Sequence, residues 1–169
     1  EPQVKEVIPL NNHSRAELLQ RAAALELQST HPIAQAILKC AKNEGVQVAN
    51  PESYQQLNGR GAAGVVSGKP YWIGSHRLML ERMPDADAAH NQSIDLKSAG
   101  GSVVAIGSEA HVCGLISVAD TVRPGADDVI QELHQLGIRH NRMLTGDNQE
   151  TGQAIADACA RVRDRDRCN

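Results

Sequence analysis

The stretch Gly59-Arg60-Gly61-Ala62-Ala63-Gly64-Val65-Val66-Ser67-Gly68-Lys69-Pro70-Tyr71-Trp72-Ile73 decides the fold. Its first six residues satisfy G-x-G-x-x-G, the pattern with which a dinucleotide fold ends one strand and opens a helix that holds pyrophosphate at its N-terminus. Here the chain does the opposite. Ala62 to Val66 continues as a strand, Ser67-Gly68-Lys69 reads as a hairpin turn, and Tyr71 to Ile73 runs back. A Rossmann unit is therefore rejected in favour of an antiparallel sheet. Gly59 and Gly61 are either plain turn residues or positions that need positive φ and a close approach of backbone to a flat ligand. Spacing alone leaves both readings open.

Outward from this hairpin, the rest of the chain to Val118 has the same α+β grammar. Val4, Val7 and Ile8 make a short strand. Ser14-Arg15-Ala16-Glu17 is a capping box for a helix with Leu18, Leu19, Ala22 and Leu25 inward, ending near Gln28. Thr30, His31 and Pro32 start a second helix with Ile33, Ala34, Ile37, Leu38 and Ala41 on its apolar face, and Gly45 stops it. Short strands occupy Ser53 to Ile73, and a polar helical stretch from Ser75 to Lys97 breaks at Pro84. Val103–Ile106 and His111–Val118 form a second hairpin. After Asp120 the wording changes to βαβα, with a helix from Pro124 closed by Gly137 and an apolar strand leading to Thr145-Gly146-Asp147. Residues 161–169 alternate Arg and Asp without apolar anchors and read as a disordered tail.

Composition removes several function classes. Seventeen Lys and Arg against twenty Asp and Glu give a net charge of −3 with interspersed signs, so no basic stripe matches a nucleic-acid backbone. One Trp, two Tyr and no Phe leave little for a base-stacking platform, and the core must be aliphatic. The apolar run Gly101 to Ala119 contains Glu109 and His111 and alternates like strands, which excludes a membrane span. Cys40, Cys113, Cys159 and Cys168 lack Cys-x-x-Cys spacing or a nearby His pair, so free thiols are expected rather than a zinc knuckle or disulfides. The chain opens at Glu1 without a signal-peptide pattern and is read as a piece of something longer.

Three clusters are candidates for chemistry. Glu26 and His31 flank a helix–helix junction, where a carboxylate could accept from an exocyclic amine and an imidazole could face a base. A solvated Glu and a capping His are the plainer readings. Thr145-Gly146-Asp147-Asn148 follows an apolar strand end, a position suited to phosphate and Mg²⁺ or, alternatively, to a helix N-cap. Asp85-Ala86-Asp87 resembles a phosphatase nucleophile pair but follows Pro84 in polar surroundings and reads as surface.

Taken together, Ser29-Thr30-His31-Pro32-Ile33-Ala34-Gln35-Ala36-Ile37, Gly59-x-Gly61-x-x-Gly64, Ile73-Gly74, Asp120-x-x-Arg123 and Met143-Leu144-Thr145-Gly146-Asp147-Asn148 resemble the heavy-metal-transporting P-type ATPases over about residues 1–160. The resemblance implies a nucleotide-binding domain, an antiparallel sheet flanked by helices, inserted into a phosphorylation domain of haloacid-dehalogenase type. It divides the chain into a flank at 1–11, the nucleotide-binding domain at 12–118, a phosphorylation-domain segment at 119–160 and the tail. It also implies that Glu1-Pro2-Gln3-Val4 follows shortly after a phosphorylated Asp that the chain lacks. Glu26 and His31 would contact adenine, with Gly59 and Gly61 shaping the wall and Gly64 ending that turn. Ala62 stands where the family often has Val or Ile, and Ser75 where the copper branch commonly has Asn, which gives a roomier pocket. Thr145, Gly146 and Asp147 would serve phosphoryl transfer with Mg²⁺ in the intact pump.

The function so implied is binding of ATP by its base and delivery of the γ-phosphate to an Asp of the neighbouring domain. The parent would be a metal-translocating ATPase in which this piece binds ATP, without turnover of its own, as a monomeric cytoplasmic domain of a membrane protein. Its partners would be the remaining domains of the same pump. Tyr71-Trp72-Ile73-Gly74-Ser75-His76 leans toward the zinc, cadmium and cobalt branch over copper. The alternative function is a free haloacid-dehalogenase-like phosphohydrolase, and a third is an interaction module that binds no nucleotide.

Overall fold

The computed structural model describes residues 2–57, 59–120, 129, 132, 133 and 135–138. Pro2–Ala119 forms one compact unit, and Glu1 with Asp120–Asn169 forms another. In chain order the first carries β1 (Pro2–Pro9), α1 (Arg15–Glu26), α2 (Pro32–Asn43), β2 (Glu52–Leu57), β3 (Gly61–Val66), β4 (Lys69–Ser75), α3 (His76–Arg82), α4 (Asp87–Ser98), β5 (Ser102–Gly107) and β6 (Val112–Asp120). One six-stranded sheet has the order β1-β6-β5-β4-β3-β2. The pairs from β2 through β6 are antiparallel. Residues 2–9, which the resemblance assigns to a flank, form the edge strand β1 beside β6, and Leu10 N–H donates to Cys113 C=O at 2.8 Å.

Local chemistry explains these boundaries. Ser14 Oγ accepts from Glu17 N–H at 3.2 Å while Glu17 Oε2 accepts from Ser14 N–H at 2.8 Å, so the capping box closes both ways. Pro32 occupies the first turn of α2. At its other end Gly45 takes φ 68°, with Gly45 N–H donating to Lys42 C=O and Val46 N–H to Ala41 C=O, a Schellman stop. Ser67 (φ 53°) and Gly68 (φ 74°) are both left-handed, as a two-residue type I′ turn between Val66 and Lys69 requires. In the second unit Gly137 (φ 91°) closes a helical turn in the same manner, with Ile138 N–H donating to Leu133 C=O at 3.0 Å.

The strand period of two sorts the core onto two faces. Tyr71, Ile73, Val104, Ile106 and Ile116 pack with Leu18, Leu19, Leu25 and Ile37 of α1 and α2. Trp72, Val103, Ala105 and Leu115 pack with Leu78, Met79 and Ala89 of α3 and α4. Aliphatic side chains fill nearly all of it, as the scarcity of aromatics demands. Residues 103–106 and 112–118 are buried strand, and no helix of the described residues is long and apolar enough to cross a membrane. Cys40 and Cys113 are free thiols. Thr145, Gly146, Asp147 and the tail at 161–169 lie outside the described residues.

Candidate nucleotide-binding site

Where α1 meets α2, the chain turns through a set of its own hydrogen bonds. Ser29 N–H donates to Glu26 C=O at 2.9 Å, His31 N–H to Ser29 Oγ at 3.3 Å, and Gln35 Nε2 to Ser29 C=O at 2.8 Å. His31 is the N-cap of α2, its Nδ1 accepting from Ile33 N–H at 3.2 Å. A backbone N–H can only donate, so in the neutral ring the proton sits on Nε2, which is left as a donor on an exposed imidazole. The capping and ligand readings of His31 are thus compatible, because they use different nitrogens.

Glu26, the last residue of α1, is half-buried. Burial raises its carboxyl above the ordinary 4.5, while the Ser29 hydroxyl and His31 pull it back down. Burial and then the Glu26 charge raise the nearby Tyr54 phenol.

The opposite wall is the turn between β2 and β3. Gly59 takes φ 66° and Gly61 φ 149°. Arg60 N–H donates to Leu57 C=O at 2.8 Å and Arg60 C=O accepts from Ser75 N–H at 3.0 Å, which binds this turn to the end of β4. The close approach expected at a glycine is real at Gly61, but it is to protein. A Cβ there would lie 1.9 Å from Ile73 O and 2.6 Å from Gly74 Cα. Arg60 pairs with Glu81 at 2.9 Å, and Arg77 meets the same carboxylate at 3.1 Å. Ser75 caps α3, its Oγ accepting from Leu78 N–H at 3.4 Å.

These walls enclose a cavity of about 310 Å³ lined by Glu26, His31, Gly59, Gly61, Ala62 and Ser75 among others. Residues up to 78 positions apart, Glu26 and Val104, are brought together. Gly64 is not among the lining residues, nor does it end the turn. It sits inside β3, where a Cβ would press on Leu25 Cδ2 at 3.2 Å and Pro51 Cβ at 3.3 Å, so its small size serves helix–sheet packing. The lining also contains Ser29, Tyr54, Arg60 and Val104, which sequence reading did not single out. Tyr54 was legible as a rare aromatic on a strand and Ser29 as the first residue of the motif that contains His31, whereas nothing local marked Val104. A larger cavity of about 550 Å³, beside residues 82–89 and 110–112, takes in Asp85, Ala86 and Asp87, which the sequence reads as surface, and none of the residues expected to bind nucleotide.

One half-buried carboxylate, one imidazole donor, a side-chain-free wall and the apolar surfaces of Ile33, Leu57, Ala62 and Val104 suit recognition of a flat heterocycle bearing an amine.

A family model described as haloacid dehalogenase-like hydrolase matches residues 1–166. A cadmium-transporting ATPase of Staphylococcus aureus is 41% identical over 143 residues, which is 82% of this chain and 20% of that protein. The crystal structure of a zinc-transporting PIB-type ATPase in its E2·Pi state superposes with a TM-score of 0.82 at 35% identity, covering 95% of this chain and 26% of that one. The N-domain of a copper-transporting P-type ATPase aligns with a TM-score of 0.58 at 27% identity, over 70% of this chain and 99% of that structure. The chain spans about a fifth of the length of the curated relatives it matches. Matched by the family model along almost its whole length, and with heavy-metal-transporting P-type ATPases as its relatives, the chain belongs to the haloacid dehalogenase-like hydrolase family.

Proposed function

We propose that the cavity between the α1–α2 junction and the β2–β3 turn binds the adenine of ATP, and that in a complete metal-transporting pump this domain presents the γ-phosphate to a catalytic Asp of the phosphorylation domain. The observation that carries the reading is the convergence of Glu26, His31, Gly59, Gly61, Ala62 and Ser75 on one small cavity. Glu26 accepts from the exocyclic amine, His31 offers its ring and its Nε2–H, and the turn at Gly59, where even a Cβ would meet no atom within 4 Å, leaves room for the base and ribose. Positioning of the phosphate, rather than bond-breaking, is what this unit supplies. In the phosphorylation step the Asp carboxylate takes the γ-phosphoryl group and ADP leaves. Mg²⁺ belongs with Thr145 and Asp147 in that complete pump.

Identity is 41% to the cadmium-transporting relative but 35% to a zinc-transporting and 33% to a copper-transporting one, so cargo of the zinc and cadmium class rests on the cadmium relative and on the Tyr71–His76 stretch rather than on a zinc-over-copper difference. The domain sits on the cytoplasmic side of a membrane pump under this reading, with the pump's other domains as partners.

With little aromatic surface and phosphates held elsewhere, ATP binds this chain with a Kd of about 0.1–1 mM, or roughly −4 to −5.5 kcal/mol, changed little by Mg²⁺. Amide chemical shifts during an ATP titration test this. Perturbations cluster at 26–31 and 59–62; a sub-micromolar Kd contradicts the open pocket. Turnover of a phosphate ester by the chain alone, abolished by Asp147→Ala, would instead favour the phosphohydrolase alternative.

Glu26 adds a pH dependence. Its raised carboxyl means that protonation relieves the burial penalty on the fold while turning a charged acceptor for the amine into a weaker neutral one. ATP affinity therefore falls on acidification, beginning at a pH above that of a carboxylate titrating at 4.5, while the fold gains stability over the same window. Affinities measured by calorimetry between pH 7.5 and 4.5 check the sign, and Glu26→Gln flattens the profile.

A further inference from the structure

We propose that His13, His111 and Cys113 form a binding site for a borderline-soft divalent cation of the zinc or cadmium class, outside the nucleotide cavity. Each contributes one ligand atom, and the three atoms lie within 4.8 Å of one another. The two imidazoles stack with centroids 5.1 Å apart and Nε2 to Nε2 at 2.8 Å. Both rings are half-buried and the thiol is buried. Two nitrogens and a sulfur suit zinc or cadmium and suit magnesium or calcium poorly.

The backbone under the cluster is fixed before any ion arrives. Leu10 N–H bonds to Cys113 C=O at 2.8 Å, His13 N–H to Leu10 C=O at 3.1 Å, and Asn11 Nδ2 to Val112 C=O at 2.8 Å. Asn11 and Asn12 take φ 51° and 63°, the left-handed turn that carries His13 back over β6. On the other side His111 N–H donates to Ser108 Oγ at 3.3 Å. A tetrahedral site with metal–nitrogen bonds of about 2.0–2.1 Å and a metal–sulfur bond of about 2.3 Å needs ligand atoms about 3.3–3.8 Å apart. The two nitrogens, 2.8 Å apart, must part by about half an ångström, and the set, which spans no more than 4.8 Å, must close by about one at most.

The metal-free protonation pattern follows from the neighbours. Arg21 Nη1 lies 2.9 Å from His13 Nδ1 and can only donate to it. His13 Nε2–H then donates to His111 Nε2, whose proton sits on Nδ1. On loading, the His13 proton moves to Nδ1 and Arg21 withdraws to the Tyr71 face, where its guanidinium already sits 4.7 Å from the ring centroid, and to Glu17. Cys113 releases its proton to solvent, so one proton leaves per metal bound. Glu17 and Glu109, against Arg21 and Lys69, line the same open cavity of about 410 Å³, which admits a water as fourth ligand.

Titration of the whole chain with Co²⁺ tests the site. The expected result is one equivalent bound with the intense visible bands of a tetrahedral centre and a thiolate charge-transfer band, displaced by Zn²⁺. His13→Gln and His111→Gln each weaken binding about tenfold or more, and Cys113→Ala, which keeps the core apolar, removes the charge-transfer band. Amide spectra verify that each variant is folded. If a variant does not fold, Zn²⁺ must raise the Tm of the wild-type chain and release one proton per equivalent; failure of either overturns the site. A charge-transfer band surviving in Cys113→Ala, or histidine variants that bind as the wild type does, overturns it as well.

Discussion

Gly61→Ala is expected to cost the fold about 4–5 kcal/mol, enough to unfold much of the chain, whereas Gly59→Ala costs about 1–2 kcal/mol. Both positions have positive φ, but 66° at Gly59 falls in the small left-handed region open to L residues, whereas 149° at Gly61 lies outside it. Space separates them further. A Cβ on Gly61 meets Ile73 O at 1.9 Å, Gly74 Cα at 2.6 Å and Ile73 C at 2.9 Å, all backbone atoms of the neighbouring strand that cannot step aside without breaking the β3–β4 ladder. A Cβ on Gly59 has no atom within 4 Å and suffers only the left-handed backbone. Urea unfolding of the two variants measures the difference. A Gly61→Ala protein within about 1 kcal/mol of wild type would mean that β3 and β4 are not in this contact, and the cavity wall would have to be redrawn.

The second large effect is at His31. His31→Ala removes the α2 N-cap, worth about 1 kcal/mol of stability, and under the proposed function also removes a donor to the nucleotide, lowering ATP affinity about tenfold. His31→Asn separates the two roles. Asn is among the best N-cap residues and can accept from Ile33 N–H as Nδ1 does, so stability returns, but it brings neither ring face nor Nε2–H. Calorimetric ATP titration of the folded Asn variant should still show the tenfold loss. Wild-type affinity in His31→Asn would reduce His31 to a cap and leave Glu26 and the glycine wall as the recognition surface.

Much of the fold was legible because its signals are local. The Ser14–Glu17 box, Pro32 and Gly45 at the ends of α2, and the Ser67-Gly68 turn each act within a few residues, and each lies where sequence reading puts it. The α1 end was less so, because Leu27 and Gln28 remain helix-compatible and the stop at Glu26 comes from the Ser29 bonds. In the candidate site, residue type and spacing left Glu26, His31, Gly59 and Gly61 open between plain and binding roles, and only the family resemblance marked them as nucleotide contacts, while Gly64 shows how a motif misleads. The third glycine of the string is small on account of Leu25 and Pro51, contacts that arise only when α1 lies on the sheet.

By itself, the sequence determined the elements, their order, the antiparallel hairpins and the aliphatic core, since these follow from periodicity, caps and turns acting over short stretches of chain. The tertiary structure decided which distant residues meet. It set β1 at the sheet edge beside β6, joined the α1–α2 junction to the β2–β3 turn around one cavity, and brought His13 to within 2.8 Å of His111 across 98 positions. Cys113, expected from spacing to be a free thiol and free in the structure, lies beside both rings for that reason. Such meetings depend on strand order and register, which are fixed by burial of both sheet faces at once and are written in no single segment.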